Sequence, residues 1–167
     1  DFAAKKALFE EYFDLDNQID YTMVQSAVAD PDSLQKNWQW TTWDGNKWFI
    51  NNYDKDGSFG NNFTGMFTEN APDAVTSFLY NQWSFTTRIL VDYYGSEMKQ
   101  RWKELVSKGI FTKENFIGII DKWCQRIGSV NFSKEYAKWP EAPCNRPSGI
   151  NTEYWEYVSA VYNSNPD

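Results

Sequence analysis

The chain has 167 residues, 41% of them hydrophobic and 19% aromatic with nine Trp, and a formal charge of −7. That length suits one domain with a buried core, and the acidic surface disfavours nucleic acid and anionic lipid as partners while favouring divalent cations. With no His at all, a Ser-His-Asp hydrolase, a His-ligated metal centre and an imidazole base are excluded, so carboxylates must carry any acid–base work.

In chain order, Asp1-Phe2-Ala3 opens without a Met, as a mature or excised fragment would. Phe2 to Phe13 reads as a helix, with Phe2, Ala3, Leu8, Tyr12 and Phe13 near helical spacing. Asp14 and Asp16 stand where N-caps belong, ahead of a second stripe of Ile19, Met23, Val24, Ala27 and Val28 that stops at Ala29-Asp30-Pro31. The residues up to Asn37 read as a loop. Trp38 to Trp43 and Lys47 to Asn51 then read as two strands of a hairpin turning at Asp44-Gly45. A Gly- and Asn-rich stretch, Gly57 to Gly65, and a polar turn at Glu69 to Asp73 follow.

The remainder reads as helical. One helix is predicted from Ala74 to Tyr94 with Gly95 as its stop, one capped by Ser96 and ending at Gly109, and one capped by Thr112 and carrying Phe116, Ile119, Ile120, Trp123 and Ile127. After a Pro-rich connection from Trp139 to Pro147, a last helix begins near Asn151. The expected fold is α+β, predominantly helical with one small β-hairpin, in a single domain over residues 1–167. No apolar run approaches the roughly 18 residues of a membrane span. Cys124 and Cys144 lack CxxC spacing and form either one disulfide or two thiols. The sequons at Asn62 and Asn131 bear only on a secretory setting.

The chemistry concentrates at Tyr53-Asp54-Lys55-Asp56-Gly57-Ser58-Phe59-Gly60, where the second strand ends. A hairpin fixes the first carboxylate, and a loop of acids and glycines suits an octahedral Mg²⁺ site, although a plain polar turn has the same composition. An EF-hand fails on its specifics. Its sixth slot, which demands Gly, is Phe59, and its twelfth, which demands a bidentate Glu, is Gly65. Upstream, Asp32 and Asn37 stand at the Asp-x-x-x-x-Asn interval of the protein-kinase catalytic loop, and Asp56-Gly-Ser-Phe59-Gly60 is a stretched Asp-Phe-Gly.

Phe13-Asp-Leu-Asp-Asn-Gln-Ile-Asp-Tyr21, Asp30-Pro-Asp32 with Asn37, Lys47 through Gly60, and Gln100-Arg-Trp-Lys-Glu-Leu through Thr112-Lys-Glu-Asn-Phe to Trp123 resemble the CotH family of atypical, spore-coat protein kinases. The likeness spans about Phe2 to Trp139 and is most specific around Tyr53 to Gly60. It implies a protein-kinase-like C-terminal lobe that transfers phosphate from ATP, with Mg²⁺, to Ser of protein substrates. It assigns Asp54, Asn37 and Asp56 to the metal, Asn37 and Asp54 to the nucleotide complex, and Asp32 or Asp30 to catalysis. It also implies a secreted, cell-surface or spore-coat setting.

The family's N-terminal lobe carries the lysine that grips the nucleotide, and no such segment precedes Phe2. A preceding segment or a second chain is therefore expected to complete the site. The alternative is a non-catalytic surface or adhesion module that keeps the fold and binds protein or glycan through Trp38 to Asn52 and Asn61 to Phe67. A helical packing domain with an incidental acidic turn is the third reading.

Overall fold

The computed structural model describes residues 1–30, 32–55, 57–59 and 85–139. In chain order these form α1 (Phe2–Tyr12), α2 (Leu15–Ala27), α3 (Asp32–Gln35), β1 (Trp38–Thr41), β2 (Phe49–Asn52), α4 (Phe85–Tyr93), α5 (Gly95–Ser107), α6 (Lys113–Ile127) and α7 (Ser129–Lys138). The described residues are thus mostly helical with one small antiparallel sheet, an α+β arrangement.

α2 starts where Asp14 caps it, the carboxylate accepting the Asn17 N–H at 3.0 Å. Its stripe of Ile19, Met23 and Ala27 meets Ile89, Leu90, Tyr94, Leu105 and Phe111 from α4, α5 and the connection after α5. From α1 it is Phe9 that enters this core, whereas Leu8 and Tyr12 of the expected stripe are exposed. Val24 is exposed as well, and Gln18, Thr22 and Gln25 are buried on another side of α2. Arg101 of α5 holds Asp20 of α2 through two bonds, at 2.6 and 2.8 Å.

The hairpin pairs Trp38 with Asn52, Gln39 with Asn51, Trp40 with Ile50 and Thr41 with Phe49. Its connection runs from Thr42 to Trp48, longer than a tight Asp-Gly turn, because Asp44 gathers the N–H groups of Asn46 and Lys47 into a wider loop. The second arm is fixed to the helices from two directions. Trp48 exchanges backbone bonds with Tyr12 and Asp14, each 2.8 Å, and Asn17 Oδ1 accepts the Ile50 N–H at 2.7 Å.

Four further expectations change. The stretch before the hairpin contains the short helix α3 rather than only loop. Gly95 opens α5 instead of ending α4, and Ser96 provides no cap, since buried Tyr94 makes the junction. α7 was not foreseen; it begins at Gly128, whose φ of 79° breaks the chain away from α6. Thr112 does cap α6, accepting the Asn115 N–H at 3.2 Å. The expected helix start at Ala74, the last helix, Cys144 and the turn at Glu69 to Asp73 lie outside the described residues, while Cys124 is exposed on α6. Among the described residues no helix is long and apolar enough to cross a membrane.

Candidate active site

A hairpin returns the chain to where it set out, so the residues entering β1 and those leaving β2 become neighbours. Pairing of Trp38 with Asn52 puts Asn37 beside the segment from Tyr53 to Lys55. Asn37 is buried and uses its amide nitrogen twice, donating to Asp32 Oδ2 at 2.7 Å and to the Asp54 carbonyl at 3.2 Å. Among the described residues its Oδ1 accepts no hydrogen bond, which leaves that oxygen as a ligand atom. The expected meeting of Asn37 with Asp54 therefore occurs through the Asp54 backbone, while the Asp54 side chain is exposed. Asp54 holds φ at 57°, a left-handed conformation uncommon outside glycine, Asn and Asp.

The two upstream aspartates have different surroundings. Asp30 is fully buried and its oxygens are taken up by the protein. Oδ1 accepts the Ser33 N–H at 3.0 Å, and Oδ2 accepts the hydroxyls of Ser33 at 2.6 Å and Ser58 at 3.2 Å. Lys55 Nζ lies 3.6 Å from the same Oδ2. Asp32 opens α3, lies at the edge of the buried zone, and meets Asn37 and the exposed Lys36, whose Nζ is 3.4 Å away. Its second oxygen, Oδ1, has no protein donor among the described residues.

The sequence alone assigns no role to Ser33, Ser58, Lys55 or Tyr21, and they frame this cluster. The Tyr21 hydroxyl donates to the Ser33 carbonyl at 2.6 Å, and burial pushes that phenol above its usual range. Lys55 donates to Ser33 Oγ and lies 5.5 Å above the Tyr21 ring. Burial lowers the Lys55 ammonium from its ordinary value, against the opposing pull of Asp30, Asp32 and Asp54. Lys55 and Ser58 lie in the acidic stretch from Tyr53 to Gly60 and Tyr21 closes the run from Phe13, while Ser33 shows only in Asp30-Pro-Asp-Ser33, which has the spacing of an acceptor three residues ahead of the N–H it caps.

The 57–59 segment closes over the two aspartates. Phe59 N–H donates to the Val28 carbonyl at 2.5 Å, and the Phe59 ring meets Phe116 edge-on at 5.9 Å. A Cβ added at Gly57 would sit 3.9 Å from Asp30 Oδ1 and from Asp32 Cβ, an ordinary contact, so Gly57 is close without being crowded. Asp56 and Gly60 lie outside the described residues.

Among the described residues no three acidic or Cys side chains group as a metal cage. Mg²⁺ in nucleotide sites is held by one or two protein groups together with phosphate oxygens and water, and Asn37 Oδ1 and the exposed Asp54 carboxylate are the oxygens here that could serve such an ion. A separate apolar groove of ≈ 1020 Å³ runs between α1, the hairpin and α4, lined by Phe9, Tyr12, Phe13, Trp40, Trp48 and Tyr93 among others, and none of the candidate site residues lines it.

A family model described as CotH kinase protein matches residues 1–162. No curated protein and no solved structure matches the chain.

Proposed function

The chain belongs to the CotH kinase protein family, and from that premise we propose that it transfers the terminal phosphoryl group of ATP to a serine hydroxyl of a protein, in a fold equivalent to a kinase C-terminal lobe. The observation that carries this reading is the Asn37 amide joined to both Asp32 and the Asp54 backbone, which puts the two ends of the catalytic-loop interval and the hairpin exit at one place.

In this reading Asp32 orients the acceptor hydroxyl and takes its proton as the oxygen attacks phosphorus and the bond to the ADP oxygen breaks. Asp32 is assigned this role over Asp30 because Asp30 is buried and its oxygens already accept three hydrogen bonds. Asn37 and Asp54 would hold Mg²⁺, and the family resemblance assigns Asp56 to the metal as well; the ion would supply charge neutralisation on the phosphates. A secreted, surface or spore-coat setting goes with the same proposal.

Incorporation of labelled phosphate from ATP tests it. Wild type is expected to modify protein serine or itself, and Asp32→Asn to do so at least about 100-fold more slowly, the minimum for losing a general base. Equal rates in wild type and the variant would remove Asp32 from the chemistry.

A binding module remains the second reading, because Trp43 stands 91% exposed at the hairpin tip, stacked on Phe49 with ring centroids 5.8 Å apart, close in sequence to the groove residues Trp40 and Trp48. Absence of any phosphate incorporation by wild type, with retained binding that Trp43→Ala abolishes, would favour it.

A further inference from the structure

We propose that Lys55 is a positioning residue that locks the exit of β2 onto the loop before β1, and so sets the geometry in which Asp54, Asn37 and Asp32 act. This rests on the phosphotransfer reading for its consequence, though the lock itself is visible without it.

The hairpin exit is fastened to the α3 segment at two successive residues. At Asp54 the fastening is the carbonyl, which accepts from Asn37 at 3.2 Å. At Lys55 it is the side chain, which reaches Asp30 at 3.6 Å and donates to Ser33 Oγ. Two attachment points on adjacent residues fix an orientation, where one would leave a pivot. The orientation they fix includes a left-handed φ at Asp54, which a loop with one attachment would relax.

The connection continues from Lys55 to the reacting end. Asp30 and Ser33 bind one another twice, so the ammonium holds the first turn of α3 in place. Tyr21 secures the same turn from α2 through the Ser33 carbonyl. Asp32 belongs to that turn, and Asn37, directly after it, bonds to Asp32. Displacement of Lys55 would therefore loosen Asp32 and Asn37 from one side and Asp54 from the other.

The half-buried ammonium also feels the charge of three carboxylates, those of Asp30, Asp32 and Asp54. Lys55 keeps 31% of its side chain in solvent, but its ammonium is taken up by Asp30 and Ser33, so it holds the site and does not serve as a phosphate ligand.

The test uses the full-length protein with Mg²⁺ and a non-hydrolysable ATP analogue. Affinity is read by calorimetry and the Asn37 side-chain amide by ¹⁵N NMR. Lys55→Met is expected to weaken the Mg²⁺–analogue complex about tenfold, as loss of an outer partner of a metal site does. It should also move the Asn37 amide signals toward those of a solvated amide, and Lys55→Arg should restore most of both.

Asp54→Asn serves as the reference for the metal reading. If it abolishes binding while Lys55→Met changes neither affinity nor the Asn37 signals, the positioning role is overturned and the phosphotransfer reading stands. If Asp54→Asn binds as wild type does, the metal reading fails, and the Asn37 signals in Lys55→Met still decide the lock: unmoved signals overturn it and moved signals support it. Should Lys55→Met not fold, Ser33→Ala removes the hydroxyl shared by Lys55 and Asp30 while keeping both charges. Unmoved Asn37 signals there overturn the proposal, and moved ones support it.

Discussion

α2 and α6 are helices of similar length, 13 and 15 residues, each carrying an apolar stripe at helical spacing, yet they end in different situations. Seven residues of α2 are buried, three of them the polar Gln18, Thr22 and Gln25, whereas none of α6 is. Ile119, Trp123 and Ile127 of α6 are exposed, and only its start reaches the core through Phe116. A stripe therefore shows which face a helix can bury without showing whether the fold encloses it. α2 is enclosed on several sides, and the buried carboxylate of the candidate site lies just beyond its C-terminus. Buried polar groups must be paired with care, and around Asp30 they are.

The contrast predicts that polar substitutions near α2 cost more than apolar ones on α6. Asp30→Ala should have the largest effect among the polar changes. It would leave the Lys55 ammonium and the hydroxyls of Ser33 and Ser58 without their acceptor. A broken buried pair costs about 3–5 kcal/mol, and the partial exposure of Lys55 puts this one near the low end, at roughly 3 kcal/mol. Urea denaturation reads it as a lower midpoint at unchanged slope. A loss too small to measure would show that the enclosure of Asp30 does not matter to stability.

A smaller effect belongs to the ionic cluster on α5 whose Arg101 also reaches Asp20 of α2. Glu104 accepts from Arg101 at 2.8 Å and from Lys108, and these bonds, that of Lys108 foremost, hold its carboxyl below the ordinary glutamate range. A carboxyl depressed in the folded state contributes stability that is complete above its unfolded pKa and lost as pH falls through its folded one. Glu104→Gln should therefore be less stable than wild type at pH 7, with the difference closing as the pH falls below the usual carboxylate range. Parallel curves at every pH would mean that the charge on Glu104 contributes nothing to stability through Arg101 and Lys108.

What the sequence reveals here is local, and what it hides depends on the path of the chain. Asp14 and Thr112 are legible as caps because the N–H groups that they accept lie three residues on. The hairpin is legible from its alternating aromatics, although the reach of Asp44 widens its loop. Gly95 is misread because a glycine at a helix boundary can end one helix or begin the next, and burial of Tyr94 decides between them. α3 is too short to show a period, and α7, largely exposed, shows none that matters. In the site, the interval from Asp32 to Asn37 is visible in the sequence. The attachment of Lys55 to Asp30 is not, since it joins residues on opposite sides of a hairpin whose return path the sequence predicts only in outline.

The smallest expected effect is on α6 itself. Trp123 is 56% exposed, and the Arg126 guanidinium lies over its ring, 5.2 Å from the centroid. An exposed cation–π pair contributes about 0.5–1 kcal/mol, so Trp123→Ala should cost less than about 1 kcal/mol despite removing the largest side chain on the stripe. The same truncation of a buried aromatic such as Phe9 would cost about 3–5 kcal/mol. Thermal unfolding of the two variants side by side gives the comparison directly. A Trp123→Ala loss matching that of Phe9→Ala would mean that the stripe of α6 is enclosed as tightly as the core that Phe9 enters, and the distinction between a stripe that can be buried and one that is buried would no longer hold for this molecule.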